Sequence, residues 1–389
     1  MNTKIIAIIV IVILAVAAVG AGLFILNNSK DNELNVLAGV NNEGSGLYID
    51  KGIDVSTMFD SDWNPIPSGW EGKVFGTPGT ATIQHVQIIQ IAESMGMKYT
   101  LYDGDTSAPN TIYLYPNISN ASLAIGNNII DGGSLWQPQY QKIVDDSSSR
   151  FKELALTNDL FPGHACCVIA GYHGYTSSHE DETARFLAAY VEAVEWVNTA
   201  LHDGPGCDDY DTLISIAKNK VGPNFTEKEI IESLATVTFY YGNNSSTPLS
   251  GLKGEIASLS EDLVSLGQTQ GKTLSDSGFS NSGEFVERFV DDSFLSKALQ
   301  LLADPNAKSN ISDTTSINVS VIAGDIHQIA IHIADELGFF EEWGIHVTFI
   351  PRTNGPEVAT AIQNGDASFG LLGAPPLTIR VISGELLKA

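Results

Sequence analysis

The residues best suited to chemistry lie in four short turns, each directly before a predicted helix. These turns are built from small and polar residues: Gly324-Asp-Ile-His-Gln, Asn354-Gly-Pro, Gly373-Ala-Pro-Pro and Thr77-Pro-Gly-Thr-Ala-Thr-Ile-Gln-His. The first turn of a helix offers unpaired backbone N–H donors and a partial positive charge. An oxyanion such as a sulfonate, nitrate or carboxylate can therefore be held there with few Lys or Arg side chains. The alternative is ordinary helix capping, which stabilises a helix by about 1 kcal/mol.

We expect these turns to meet in one ligand-binding site, with further polar residues from strand ends. The Gly373 turn would supply backbone donors, Thr80 and Thr82 would supply hydroxyls, and Trp136 would form a lid or side wall. The predicted ligand-binding residues are Asp325, His327, Gln328, Asn354, Gly355, Gly373, Ala374, Pro375, Asn42, Glu43, Ser45, Thr80, Thr82, Gln84, His85, Trp136 and Gln137.

The sequence does not predict a metal, a cofactor or a catalytic triad. His164, Cys166, Cys167 and His173 lie close together in sequence. Adjacent residues of a strand point to opposite faces, however, and the C-x-x-C spacing of a zinc site is absent. Gly44-Ser45-Gly46 is not a nucleophile elbow, which needs a glycine two positions away on either side of the serine. We therefore expect a binding protein and not an enzyme.

The chain is strongly acidic. It has 46 acidic and 20 basic residues, for a net charge of −26. Nucleic acid binding requires basic side chains that neutralise phosphates, so a nucleic acid partner is not expected.

Residues 5–26 form an uncharged apolar stretch near the N-terminus. This length is sufficient for a helix that crosses a membrane. Lys4 precedes the stretch, and Asp31 and Glu33 follow it, which favours a single-pass anchor with the soluble part outside the cytoplasm. A cleaved signal peptide is the alternative, although its apolar part is usually only about 7–15 residues long.

Strands and helices alternate through the rest of the chain, which predicts an α/β fold with mainly parallel sheets. The strongest predicted helix covers 180–201, and a second long helix is predicted over 284–302. Residues 303–317 are polar and are predicted to be a linker. The remaining segment, 318–389, alternates strand and helix three times, which is half of an open sheet.

This last segment resembles the opening of a known family. Gly338-Phe-Phe-Glu-Glu-Trp-Gly-Ile, followed by Asn364-Gly-Asp-Ala-Ser-Phe-Gly, resembles the substrate-binding proteins of ABC importers of the nitrate, sulfonate, taurine and bicarbonate type. Residues 36–302 resemble the rest of such a protein, through Glu71-Gly-Lys-Val-Phe-Gly-Thr-Pro-Gly, Trp136-Gln-Pro and Cys166-Cys-Val-Ile-Ala.

The two parts stand in the opposite order from that family. Residues 318–389 match the family's beginning, but here they follow residues 34–302. We interpret this order as a circular permutation, in which 303–317 joins the former termini. Two alternatives are a fragment of a tandem gene, which holds the end of one copy and the start of the next, and two chains that exchange halves.

The resemblance implies a two-lobed periplasmic-binding-protein-like fold of type II, with the ligand in the cleft between the lobes. Residues 1–32 would be the anchor and tether, 33–69 with 172–389 would form lobe I, and 70–171 would form lobe II. The implied function is capture of a small anionic solute outside the cytoplasm for an ABC permease and its ATPase. One alternative is a ligand-sensing domain for a membrane signalling partner. Another is an enzyme like the thiamine-pyrimidine synthases, of whose Cys-rich motif only Cys166-Cys167 is present here.

Overall fold

Two six-stranded sheets organise the protein. The computed structural model describes residues 33–242 and 249–384. Its strands are β1 Leu34–Glu43, β2 Ser45–Asp50, β3 Val74–Gly76, β4 Lys98–Leu101, β5 Thr111–Tyr115, β6 Gly132–Trp136, β7 Phe151–Leu156, β8 Ala165–Tyr172, β9 Val237–Phe239, β10 Thr315–Ile322, β11 Ile345–Arg352 and β12 Phe369–Gly373.

Helices cover the sheets and form the connections between strands. They are α1 Pro67–Trp70, α2 Ile83–Ser94, α3 Ala121–Ile125, α4 Gln139–Asp145, α5 Thr157–Leu160, α6 His173–Ser178, α7 Glu180–Asp203, α8 Asp208–Val221, α9 Glu227–Leu234, α10 Leu249–Ser265, α11 Ser282–Phe289, α12 Ser293–Ala303, α13 Ile329–Glu336, α14 Phe339–Glu342, α15 Gly355–Gln363 and α16 Ala374–Ile382. Single 3₁₀ turns occur at Val55–Thr57, Ser275–Ser277, Lys308–Asn310 and Ile326–Gln328.

The first sheet combines strands from both ends of the chain. Its order is β11-β10-β12-β8-β1-β9. The C-terminal strands β10, β11 and β12 run parallel to one another, and β12 then pairs antiparallel with β8. Strand β1 pairs antiparallel with both β8 and β9. The segment 315–384 is therefore part of the same sheet as the first described strand and does not fold as a separate unit.

The second sheet is built from the middle of the chain in the order β4-β5-β3-β6-β2-β7. Strands β4, β5, β3 and β6 are parallel neighbours, whereas β2 pairs antiparallel with β6 and β7. Both sheets are thus mixed, and the prediction of mainly parallel sheets is wrong. The difference arises because β1, β2 and β8 carry the chain back and forth between the sheets.

The chain crosses between the two sheets at two places. The first crossing is at Glu43 and Gly44, which have φ values of 64° and 80° and join β1 to β2. Gly44 is required there because a Cβ would lie 2.3 Å from His327 Nε2. The second crossing covers 157–164, between β7 and β8. These crossings lie away from the predicted lobe boundaries at 69/70 and 171/172. We call each sheet with its packed helices the first lobe and the second lobe.

Helix α7 is the central helix of the first lobe. It packs against α12, α13 and α14. Its apolar stripe is buried, namely Phe186, Ala189, Tyr190, Ala193, Val194 and Val197. The Phe186 ring stacks on Phe340 and Phe369, with centroid distances of 5.4 and 4.4 Å. The C-terminal segment 315–384 therefore shares a hydrophobic core with the middle of the chain.

The predicted helix over 284–302 is wrong, because the structure has two helices there, α11 and α12. The break lies at 290–292. Val290 forms a parallel bridge with Val36, and Asp291 N donates to Val36 O at 2.9 Å. Pairing with the edge of β1 thus replaces one helical turn.

The predicted linker, residues 303–317, contacts the first lobe through ion pairs. Lys308 Nζ contacts Glu192 Oε1 at 2.8 Å and Glu342 Oε2 at 2.6 Å. In residues 33–242 and 249–384, no helix has the length and hydropathy needed to cross a membrane. The predicted anchor over 5–26 lies outside these residues.

Candidate functional site

A cavity of about 160 Å³ lies between the two lobes and is the candidate site. Residues from both sheets form its wall. The second lobe contributes the start of α2, Ser119 and the end of β6, and the first lobe contributes β8, the end of β10, the 3₁₀ turn at Ile326–Gln328 and the starts of α15 and α16. This size suits a small solute.

Three helices begin at this cavity. Their N-cap residues are Thr82 for α2, Asn354 for α15 and Gly373 for α16, and all three line the cavity. Asn354 Oδ1 accepts a hydrogen bond from Glu357 N at 3.0 Å. The Thr82 side chain makes no capping hydrogen bond, and Gly373 has no side chain to make one. The positive ends of three helix dipoles therefore meet at one space, although Pro356, Pro375 and Pro376 offer no N–H donor in the first turns of α15 and α16.

Asp325 and His327 form a buried ion pair on the cavity wall. Asp325 Oδ1 lies 3.1 Å from His327 Nδ1 and also accepts a hydrogen bond from His327 N at 3.0 Å. His327 Nε2 lies 2.8 Å from Gly44 O, at the first crossing. Burial opposes a charged imidazole, but the Asp325 carboxylate outweighs it and raises the pKa of His327 to about 9. Both ring nitrogens therefore carry protons at neutral pH, and the pair has no net charge.

Cys166 and Cys167 both line the same cavity, although they are adjacent on β8. Strand β1 pairs Asn41 with Cys167 and Asn42 with Ala165, so Cys166 is an extra residue in β8. Such a bulge redirects side chains. The two sulfur atoms lie 3.9 Å apart, and all three cysteines of the chain are free thiols. A hydrogen bond from Cys167 lowers the pKa of the Cys166 thiol.

About half of the predicted site residues lie on the cavity wall. They are Asp325, His327, Asn354, Gly355, Gly373, Thr82, Gln84 and Trp136. None of the described residues that line the cavity is Lys or Arg. Gln84 also links α2 to the start of β2, since its Nε2 donates to Ser45 Oγ at 2.9 Å.

Several predicted residues support the wall from behind. Gln328 accepts a hydrogen bond from Ile322 N and donates one to Leu371 O, both at 3.0 Å, so it ties β10 to β12. His85 lies 2.8 Å from Thr77 Oγ1, and burial lowers the pKa of His85 to about 4. Ser45 is buried beneath Gln84.

The other predicted residues take structural positions. Asn42 Nδ2 donates to Gly163 O at 3.4 Å, and Glu43 Oε1 accepts from Gly163 N at 2.9 Å, which joins the two crossings. Gln137 accepts a hydrogen bond from Ser233 Oγ at 3.0 Å, across the two lobes. Thr80 lines a neighbouring cavity, and Ala374 and Pro375 are buried in the first turn of α16.

The sequence reasoning missed part of the wall. The additional residues are Pro78, Ile83, Ser119, Cys166, Cys167, Ile322, Thr353, Pro356 and Pro376. Pro78, Ile83, Pro356 and Pro376 lie within the predicted turns and Thr353 directly precedes one, so these five could have been found by taking each turn whole with one flanking residue. The two cysteines could not, because their joint orientation depends on the bulge in β8.

A comparison with known protein families finds a match for the C-terminal part of this chain. A family described as NMT1/THI5-like matches residues 326–389. The matched stretch lies within the segment that resembles the substrate-binding proteins of ABC importers, and it supports that resemblance there. No curated protein matches the sequence.

One solved structure is weakly similar to part of this chain. It is the ligand-binding component of an ABC-type import system from Staphylococcus aureus, solved with zinc bound. The alignment covers 70% of this chain and 76% of that chain, with 13% sequence identity and a TM-score of 0.41.

Proposed function

We propose that this protein is a solute-binding protein that captures a small anion outside the cytoplasm for an ABC importer. The observation that carries the proposal is the meeting of three helix starts at one cavity between two lobes. The family match over 326–389 supports it, since that segment supplies two of those three helices. Residues 5–26 would anchor the protein to the membrane, and a permease with a cytoplasmic ATPase would receive the solute.

The charges around the cavity favour an anion over a cation. The only formal charges on its wall, among the described residues, are those of Asp325 and His327, which neutralise each other. The helix starts then leave the space with a positive potential. Selectivity for a small oxyanion would come from N–H donors, from the Gln84 side chain and from the Thr82 hydroxyl, which donates to Gly79 O at 2.8 Å here and would turn to the anion on binding.

Binding in such a cleft is coupled to closure of the lobes. Polar contacts bridge the lobes beside the cavity. Gln141 Nε2 on α4 donates to Glu232 Oε2 on α9 at 2.8 Å, and Lys228 Nζ lies 2.7 Å from Asp145 Oδ2. On the other side, Gln90 Nε2 donates to Asp262 Oδ2 at 3.0 Å. These contacts would form on closure and break on release, and no covalent step is needed.

We also propose that the order of the segments is a circular permutation of the importer-type binding protein. Strands β10, β11 and β12, which follow α12 in the chain, complete the sheet that β1, β8 and β9 begin. The same sheet would arise from either order of the segments 34–302 and 318–389. Only the loop that joins them differs: here it is the connection over 304–314, and in the other order it would join the end of the second segment to the start of the first.

The test is a thermal-shift measurement on the full-length protein with nitrate, methanesulfonate, acetate and bicarbonate. A ligand that binds only the folded state raises the melting temperature with concentration. Thr82→Ala should weaken binding of the stabilising anion. Thr80→Ala is the matched control, because it alters the same residue type in the same turn but faces another cavity.

Two outcomes would contradict the proposal. One is the absence of a melting-temperature shift with each of these anions at concentrations far above physiological levels. The other is an equal loss of affinity in Thr80→Ala and Thr82→Ala, since the cavity between the lobes would then not be the binding site.

A further inference from the structure

Two thiols and one imidazole converge at the wall of the cavity. The Sγ atoms of Cys166 and Cys167 and a ring nitrogen of His327 all lie within 4.8 Å of one another. All three residues are buried in the protein, and all three line the cavity. They come from separate parts of the chain, since the cysteines lie on β8 and His327 lies in the 3₁₀ turn before α13.

The spacing of the two sulfur atoms suits a shared metal ion. Two thiolate ligands of a tetrahedral zinc ion, each about 2.3 Å from the metal, lie about 3.8 Å apart. Cys166 Sγ and Cys167 Sγ are 3.9 Å apart. A disulfide would require a separation of about 2.05 Å between the two sulfur atoms, so these two cysteines are separate thiols. The bulge at Cys166 is what brings the two neighbours to this distance.

Asp325 is placed to orient the histidine. Its Oδ1 lies 3.1 Å from His327 Nδ1, and a carboxylate that fixes the ring of a ligating histidine is a recurrent feature of metal sites. His327 Nε2 contacts Gly44 O in the structure. A cation would take the place of the proton on one ring nitrogen and displace the acceptor of that proton, Asp325 Oδ1 or Gly44 O, while the other N–H would keep its own acceptor.

We propose that Cys166, Cys167 and His327 form a binding site for a thiophilic divalent cation, such as Zn²⁺, in the wall of the cavity. Thiolate and imidazole ligands select such cations over Mg²⁺ and Ca²⁺. Two cysteines and one histidine leave the fourth position of a tetrahedral ion open, as in zinc sites that bind a further ligand. That position faces the cavity, because each of the three side chains lines it.

The open position also gives the solute a place to bind. This step rests on the proposed function: the anion held by the helix starts would complete the coordination of the metal. The substrate class then narrows to small oxyanions that can act as a metal ligand, with the starts of α2, α15 and α16 stabilising the remaining negative charge.

The first experiment is a Co²⁺ titration of the reduced, full-length protein. Co²⁺ replaces Zn²⁺ in tetrahedral sites, and its bond to thiolate gives a charge-transfer band in the near ultraviolet. We expect this band to saturate at one Co²⁺ per chain and to disappear when Zn²⁺ is added. A titration without the band, on protein in which all three thiols are shown to be reduced, would overturn the proposal.

Variants assign the ligands. Cys166→Ser and Cys167→Ser should each remove most of the charge-transfer band, and His327→Gln should lower metal affinity. Cys207→Ser is the matched control, because Cys207 is a half-buried free thiol at the start of α8, outside the cavity wall, and should leave the titration unchanged. Asp325→Asn should weaken the site about 10- to 100-fold through the orientation of His327. A band that survives in both Cys166→Ser and Cys167→Ser would place the metal elsewhere.

A final measurement separates this inference from the proposed function. Nitrate, methanesulfonate and acetate are added to the Co²⁺ form and to the metal-free form. A change in the visible cobalt spectrum with tighter binding supports coordination of the anion. Equal binding to both forms, without a spectral change, would overturn the metal-bound anion and leave the proposed function standing. Binding to neither form would contradict the proposed function, while the charge-transfer band would still establish the metal site.

Discussion

The chemistry of individual residues is concentrated in Asp325 and His327. The charge of each is satisfied by the other, and both are buried, so the pair is a fixed part of the cavity wall. Removing one partner would leave an uncompensated buried charge, which is costlier than the loss of an exposed ion pair. The pair also links the wall to the first crossing, since His327 Nε2 contacts Gly44 O.

The raised pKa of His327 predicts a loss of stability at alkaline pH. The folded protein holds this proton up to about pH 9, whereas an unfolded histidine releases it near pH 6.5. The contribution is fully present below pH 6.5 and declines as the pH rises to 9, by about 3 kcal/mol in total. Urea unfolding of the metal-free protein between pH 6 and 10 measures this decline.

His327→Gln should flatten that part of the profile, since glutamine does not titrate. His85→Gln is the control, because burial lowers the pKa of His85 to about 4 and its protonation destabilises the fold only on the acid side of pH 6.5. An alkaline decline of equal size in wild type and His327→Gln would show that another group is responsible.

At the scale of elements, the fit between helices and strands relies on close approach at glycine. Helix α15 packs directly on β12 at Gly370. A Cβ on Gly370 would lie 2.5 Å from Val358 Cγ1 and 2.8 Å from Ile362 Cδ1. These are buried side chains of a packed helix, so they cannot move away without disturbing the core.

Gly370→Ala should therefore lower the free energy of unfolding by about 1–3 kcal/mol, the usual cost of overpacking. Gly254→Ala is the matched control. Gly254 lies within α10, and a Cβ added there would have no heavy atom of another element within 4 Å, so alanine should stabilise the protein by up to about 1 kcal/mol. Chemical denaturation of the two variants measures both effects, and equal changes of the same sign would contradict this account of the packing.

The sequence allowed most elements to be predicted, but not their pairing. Strands such as Ile345–Arg352 are β-branched runs between turn residues, and the stripe of α7 recurs at helical spacing. Short elements such as Val237–Phe239 carry too few residues to show a pattern. The proximity of Cys167 to His327 depends on a bulge and on tertiary pairing, so no local pattern could indicate it.

At the scale of the whole molecule, residues 315–384, the tail, form one half of the first sheet, with β11 as its edge strand. Strands β10 and β12 stand between β11 and β8 in the first sheet. Phe340 and Phe369 of the tail stack on Phe186 of α7. Trp343 Nε1 donates to Glu192 Oε2 at 2.7 Å, which joins the tail to α7 again. The first lobe therefore cannot form its core without residues 315–384.

This arrangement predicts that the order of the two segments can be reversed without loss of the fold. In the reversed chain, residues 314–389 come first, residues 33–313 follow, and Lys308 keeps its contacts with Glu192 and Glu342. The contacts within both lobes stay the same, and a change of loop alters the entropy of closure by only about 1 kcal/mol. We expect the reversed chain to give the same near-ultraviolet circular dichroism spectrum and the same anion-dependent rise in melting temperature as residues 33–389 in their natural order. A reversed chain that folds only as a dimer would favour exchange of halves between chains. One that does not fold would contradict the permutation, because the sheet would then require the covalent link between residues 313 and 314, which only the natural order provides.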